Sequence, residues 1–239
     1  MLRIGTAGWA IRREYQNSFV SEGSHLARYA RVFNAVEINS SFYRPHRVST
    51  YTRWAEETPK SFSFAVKMPR SITHNARLRD TGDLLHAFFS ECTALKKKLG
   101  CVLIQLPPSL TFEAKIARTF FESLRKNYEG RTALEPRHPS WFAKSADALL
   151  VRFEIARVAA DPAPASMKDS VAASMPGGWN GFEYWRLHGH PKIYYSDYDP
   201  HFLEALVKRV SPDAWVIFDN TALGHATMNA RDLAARMQR

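Results

Sequence analysis

Eight short runs of apolar, β-branched and aromatic residues recur along this chain at a nearly even beat. That spacing constrains the fold more than any other feature. The runs are Leu2–Ala7, Ala35–Ile38, Phe62–Val66, Val102–Leu106, Thr132–Glu135, Ile155–Ala160, Phe182–Leu187 and Trp215–Phe218. Each has the length of a strand, and successive runs start about 30 residues apart, the length of one strand–helix unit. Between them apolar residues repeat with helical period. Leu26, Tyr29, Ala30 and Phe33 make one stripe, and Ile116, Phe120, Phe121 and Leu124 make another. The strongest, Leu84, Leu85, Phe88, Phe89, Cys92 and Leu95, is opened by Thr81 and Asp83 and closed by Gly100. Asp199-Pro200 reads as an N-cap followed by a first-turn proline, ahead of Phe202, Leu203, Leu206 and Val210. Leu223, Ala226, Leu233 and Met237 form the last stripe.

Strands that alternate with helices pair in parallel. Eight such units in 239 residues predict an α/β chain folded as a single-domain TIM-type (β/α)8 barrel over residues 1–239. An open doubly wound sheet is the alternative, but its G-x-G-x-x-G fingerprint is missing. Gly5-Thr6-Ala7-Gly8 has only two glycines, in the wrong register. The sixth unit departs from the pattern. Residues 161–180 read DPAPASMKDSVAASMPGGWN, with Pro162, Pro164 and Pro176 and no apolar stripe. A sixth helix that is missing or reduced to a turn is expected there, within a long loop.

A hydrophobic content of 45% and a charged content of 23% exclude disordered and collagen-like classes, and the formal net charge is +10. Two cysteines, Cys92 and Cys101, exclude a disulfide framework and read as small buried hydrophobes. The opening MLRIGTAGWAIRREY has no apolar run of signal-peptide length, and no window is apolar enough for a membrane span. A cytoplasmic location without membrane contact is the expectation. The positive excess is uneven, and residues 12–79 hold twelve Lys/Arg against five Glu. That segment, interleaved with aromatics, admits nucleic acid as a partner. A basic, solvated outer surface is the plainer reading.

In barrels of this kind the site lies at the C-terminal ends of the strands, and here those ends are polar on seven of eight. They supply Glu37, Asn39 and Tyr43 after the second strand, Lys67 and His74 after the third, and Gln105 after the fourth. Glu135, Arg137, His138 and Trp141 follow the fifth, Asp161 the sixth, Arg186, His188 and His190 the seventh, and Asp219, Asn220 and Thr221 the eighth. Buried charges need partners, so each residue alone fits a structural ion network. Together they point to a ligand site. Glu37, Lys67, Glu135 and His188 are the candidate catalytic groups. Asn39, Tyr43, His74, Gln105, Arg137, Trp141, Arg186 and Asn220 are the candidate substrate-binding groups.

Glu37, Glu135, His188, His190 and Asp219 are also metal-ligand types. No local spacing such as H-E-x-x-H supports an ion, so no metal site is assigned and no cofactor is required by the sequence. A divalent metal stays as the lesser alternative. Lys67 could form a Schiff base if burial and cationic neighbours lowered its pKa. An anion-holding or ion-paired lysine is the commoner case.

Seven ordered motifs, IGTAGW, NAVEINSSFYR, FSFAVKMPRSITH, LGCVLIQLPPS, ALEPRHPSW, YWRLHGH and FDNTALGHATMNA, resemble the YecE-like family, known as domain of unknown function 72. The resemblance runs over nearly the whole chain. It implies a TIM-type barrel and a bacterial cytoplasmic setting, and no established activity. Besides the candidates above, Gly189, Thr221, Ala226 and Asn229 match its motifs. Two departures stand out. Pro136 lies between Glu135 and Arg137 where the family has an apolar or aromatic residue, and the chain is short around 162–180.

Three readings of function follow. The first is acid–base conversion of an anionic, phosphorylated small molecule held by Lys67, Arg137 and Arg186, with Glu37 or Glu135 and His188 moving protons. The second is nucleic-acid binding or metal-assisted phosphodiester hydrolysis. The third is ligand binding without conversion.

Overall fold

The computed structural model describes residues 1–167 and 170–238. Its strands are β1 (Arg3–Thr6), β2 (Ala35–Ile38), β3 (Ser63–Lys67), β4 (Leu99–Gln105), β5 (Thr132–Glu135), β6 (Ile155–Arg157), β7 (Ala159–Asp161), β8 (Gly177–Gly178), β9 (Tyr184–Leu187) and β10 (Trp215–Phe218). The α-helices are α1 (His25–Tyr29), α2 (Val48–Glu56), α3 (Gly82–Cys92), α4 (Ala114–Asn127), α5 (Lys144–Arg152), α6 (Pro200–Val207) and α7 (His225–Arg236). Asp199 caps α6 as expected, its carboxylate accepting the Phe202 N–H at 2.8 Å. Among the described residues no helix is long and apolar enough to cross a membrane.

The strands form two sheets, ordered β1-β10-β9-β7 and β2-β3-β4-β5-β6-β8. Every pairing is parallel except the short β6–β8 one. The chain is therefore a mixed α/β fold with mostly parallel sheets. Where one closed eight-stranded sheet was expected, the backbone ladder is interrupted at two seams.

At the first seam, between β1 and β2, side chains stand in for the ladder. The Thr6 N–H donates to the Tyr29 hydroxyl at 2.8 Å, and that hydroxyl donates to the Ala35 carbonyl at 3.1 Å. Lower down, Asn34 accepts from the Ile4 N–H and donates to the Leu2 carbonyl. Direct contact resumes above, where Ala7 bridges Glu37 and the Gly8 N–H donates to the Glu37 carbonyl at 2.8 Å. The strands approach so closely that a Cβ on Gly5 would lie 2.0 Å from the Ala35 carbonyl oxygen. At the second seam the predicted sixth strand is one extended run that changes partner around Val158. Ile155–Arg157 pairs with β5, and Ala159–Asp161 pairs with β9.

The sixth connection lacks an α-helix among its described residues. It holds two single 3-10 turns, Ala165–Met167 and Val171–Ala173, and the short β8. Lys168 and Asp169, part of the loop expected there, lie outside the described residues.

Strand alternation separates two apolar cores. Val36, Phe64, Val66, Ile104, Leu134, Leu187, Val216 and Phe218 pack with the helices. Ala35, Ala65, Cys101, Leu103, Ala133, Ala156, Tyr184, Trp215 and Ile217 face one another in a second cluster. Tyr184 and Trp215 fill that inner space as a stacked pair, 6.0 Å between centroids. Both cysteines are free and buried.

Candidate functional site at the strand ends

The inner face carries the site. Side chains two residues apart on a strand point the same way. Ala35 is thus followed by Glu37, Ala65 by Lys67, Leu103 by Gln105, Ala133 by Glu135, Tyr184 by Arg186 and then His188, and Ile217 by Asp219. Each strand is small or apolar below and polar at its C-terminal end, so the inner core supports a polar layer.

Arg186 is the hub of that layer and is fully buried. Its Nε and Nη2 donate to the two oxygens of Glu37 at 3.0 and 2.7 Å, a bidentate fork. Its Nη1 donates to Glu135 Oε2 at 2.7 Å, and its Nη2 also reaches Asp219 Oδ2 at 3.0 Å. The Tyr184 hydroxyl donates to Glu37 Oε2 at 2.9 Å. Burial alone would ease the guanidinium proton off, but the three carboxylates outweigh it and hold the group well above its ordinary pKa. Burial and the Glu37 charge push the Tyr184 phenol up as well. Both Glu37 oxygens are thus occupied, and Arg186 grips carboxylates of the protein. These two residues organise the site.

Glu135 and His188 complete the same buried layer. Glu135 accepts from Gln105 Nε2 at 2.8 Å and lies 2.6 Å from Arg137 Nη2. Burial pushes the Glu135 carboxyl up, and the charges of Arg137, Arg186 and His188 overcome this, holding it well below the usual carboxylate range. His188 Nε2 lies 2.9 Å from Glu135 Oε1, and its Nδ1 lies 3.0 Å from Asp219 Oδ2. Burial raises the Asp219 carboxyl, but Arg186 and His188 draw it below its ordinary value. An imidazole held between two carboxylates is a geometry suited to moving protons.

Lys67 differs from every other charge here. It is 7% exposed, and among the described residues no carboxylate oxygen lies within 4.0 Å of its ammonium. The ammonium sits 4.4 Å from the Phe42 ring centroid, a cation–π contact. Burial first, then the Arg186 charge, lowers its pKa to about 8, against the opposing pull of Glu37, Glu135 and Asp219. Four polar side-chain atoms are buried without a hydrogen-bond partner among the described residues: Asn39 Oδ1 and Arg137 Nε at the strand ends, Asn220 Oδ1 after β10, and Trp215 Nε1 in the inner core. Buried polar groups are nearly always satisfied, so Asn39 Oδ1 and Arg137 Nε leave open valences at the strand ends.

The remaining candidates fall at different distances from this centre. His74 is half-buried, bonded to Thr73 Oγ1 at 2.8 Å and edge-on to Phe42. Burial, then Lys67 and Arg70, lowers its pKa. The structure does not bring Tyr43, Trp141 or Asn220 into the cluster. Tyr43 is 73% exposed. Trp141 is a core side chain that donates to the Leu110 carbonyl at 2.9 Å and packs on Phe112. Asn220 is buried and ties the Ser196 carbonyl to Asn229, fixing the loop after β10. Asp161 accepts from the Tyr198 hydroxyl. Asp219 and Tyr184, outside the candidate catalytic and binding groups, belong to the cluster. Period-two alternation from Ile217 and Arg186 was the signal that places them.

The carboxylates converge on a guanidinium, and among the described residues no group of His, Cys, Asp or Glu is arranged to hold a metal ion.

UPF0759 protein YecE of Escherichia coli is 32% identical over 145 residues, covering 60% of this chain and 51% of that protein. UPF0759 protein YunF of Bacillus subtilis is 29% identical over 151 residues, covering 60% and 53%. The matches thus span about half the length of these relatives. A crystal structure of a DUF72 family protein from Thermotoga maritima superposes with a TM-score of 0.78 at 24% identity, covering all of both chains. One from Enterococcus faecalis gives 0.80 at 18% identity, covering 100% of this chain and 96% of that one. These likenesses establish a shared fold. A family model described as "Protein of unknown function DUF72" matches residues 3–239, so the chain belongs to the DUF72 family.

Proposed function

We propose that the two sheets act as one TIM-type barrel, and that its mouth binds a small anionic molecule, phosphorylated or carboxylated, and converts it by acid–base chemistry. Barrel closure is supported by the bridge between Ala7 and Glu37 and by the single run that spans β6 and β7. The observation that carries the functional reading is the set of open valences on the mouth side. Lys67 has no carboxylate partner, and Arg137 Nε and Asn39 Oδ1 have no hydrogen-bond partner, among the described residues. In this reading Lys67 and Arg137 hold the negative charge, and Glu135 and His188, 2.9 Å apart, move the proton. Arg186 and Glu37 keep the layer rigid. Formal charges within the layer already balance, with Lys67, Arg137 and Arg186 against Glu37, Glu135 and Asp219. A singly charged ligand therefore disturbs it less than a dianion.

The test is calorimetric titration with inorganic phosphate and with pyruvate. Wild type should bind at least one of them at a single site, and Lys67→Met and Arg137→Met should each weaken that binding at least tenfold. Glu135→Gln should lose turnover of a converted substrate. Equal affinity in wild type and both variants, or no binding by wild type, overturns the reading.

A second reading rests on a separate observation. Exposed Tyr43 and Arg44, with Arg70, all within the basic segment, line a cavity of about 420 Å³. Aromatic and arginine side chains together suit single-stranded nucleic acid. It predicts oligonucleotide binding that weakens steeply with salt, read by fluorescence anisotropy. Salt-independent or absent binding removes it.

A further inference from the structure

We propose that Lys67 is a covalent catalytic residue, its amine condensing with the aldehyde or ketone carbonyl of a small anionic substrate to form a Schiff base. The proposal rests on the anion-binding reading of the mouth and specifies the chemical class of its substrate.

Four observations converge on it. Lys67 ends β3 on the inner face, in the layer that also holds Glu135, Arg186, His188 and Asp219. It is almost fully buried, yet no carboxylate lies within ion-pair distance among the described residues. Its ammonium rests on the Phe42 ring, which leaves the nitrogen oriented without a hydrogen bond that would have to break before attack. A paired acid–base group, Glu135 and His188, stands in the same layer to move the protons that imine formation requires. Desolvation and a nearby cation are the two devices that turn a lysine into a nucleophile at neutral pH, and both act on Lys67. With its pKa lowered from 10.5 to about 8, the neutral fraction near pH 7 is roughly 300-fold that of an ordinary lysine.

The step balances without another reactant. The Nζ lone pair forms the N–C bond while the carbonyl π pair moves to oxygen. A proton shifts from nitrogen to that oxygen, giving a carbinolamine. A second proton, delivered through His188, lets the oxygen leave as water with the C–O bonding pair. The nitrogen lone pair then completes the C=N bond as a protonated imine. Arg137 faces the substrate's anionic group.

Reductive trapping tests this directly. The full chain is incubated near pH 7 with pyruvate and sodium cyanoborohydride, then examined by intact mass and peptide mapping. The expected result is one adduct per chain, on Lys67, formed at least tenfold faster than on any other lysine. It should be absent from Lys67→Arg, whose fold is checked by circular dichroism and thermal melting. Phosphate should slow the labelling by competition. Adducts spread over surface lysines at similar rates, or undiminished in Lys67→Arg, overturn the proposal. Pyruvate that binds wild type without labelling Lys67 refutes the Schiff base and leaves the anion site standing. Pyruvate and phosphate that neither bind nor label refute both.

Discussion

Replacing Lys67 by methionine should make the protein more stable, and the size of the gain follows from its surroundings. Lys67 is buried with its pKa lowered from 10.5 to about 8. Each pKa unit corresponds to about 1.4 kcal/mol, so carrying the charge costs the native state at most about 3–4 kcal/mol near pH 7. Methionine keeps the unbranched apolar stem against Phe42 and breaks no ion pair, because among the described residues no carboxylate oxygen lies within 4.0 Å of the ammonium. A net gain of about 1–3 kcal/mol is expected, since unfolded-state effects take part of it. In a chain of this size that is roughly 3–10 °C in melting temperature. The pH dependence fixes the sign. Between about 8 and 10.5 the native state binds fewer protons at Lys67 than the unfolded state does, so wild type gains stability as pH rises through that window. Below about 8 the full cost is present. The gap between Lys67→Met and wild type should therefore be widest near pH 7 and narrow toward pH 10, measured by thermal melts at matched ionic strength. A variant less stable than wild type at pH 7 would show that Lys67 is a paired structural cation, and the reasoning would fail.

Arg186→Met should act in the opposite direction. It leaves Glu37, Glu135 and Asp219 buried without their common counter-charge, and removing one partner of a buried pair costs about 3–5 kcal/mol. Denaturant midpoints should fall accordingly at neutral pH. Because Arg186 and its neighbours depress Glu135 and Asp219, wild-type stability is present above the usual carboxylate pKa and lost as pH falls through the depressed values. The deficit of the variant should shrink on acidification, and a pH-independent deficit would contradict the assignment. Tyr29→Phe removes the hydroxyl that joins Thr6 N–H to the Ala35 carbonyl. It should cost about 1–3 kcal/mol and speed amide exchange at Thr6, and unchanged exchange there would sink the account of the first seam.

Much of this architecture was legible because parallel strands buried on both faces are short and continuously apolar. Ala35–Ile38, Thr132–Glu135 and Trp215–Phe218 are strands with the bounds their composition suggests. Gly100 follows the helical stripe as a stop signal would, but it does not end a helix. It lies inside β4, where a Cβ would meet the Trp215 ring at 2.6 Å, and the helical segment turns instead at Lys96, with φ of 54°. The change of partner around Val158 and the side-chain bridges of Tyr29 and Asn34 depend on how distant strands are offset, which local pattern does not encode. At the site, residue type at the strand ends located the polar layer but not its division of labour. Glu37, a candidate catalytic group by residue type, and Arg186, a candidate binding group, are bound to one another. Trp141 shares a motif with Glu135 yet points into the core. A motif fixes neighbours along the chain, whereas direction follows from strand alternation, and applying it to Ile217 would have added Asp219.

The most direct test of the central claim is a crystal structure of the protein grown in phosphate and, separately, soaked with pyruvate. The account predicts an anion at the strand ends, its oxygens within hydrogen-bonding reach of Lys67 Nζ and Arg137, with the Arg186 fork on Glu37 unchanged. A bare mouth, with Lys67 turned onto Glu135 or Asp219 in a closed ion network, would contradict it.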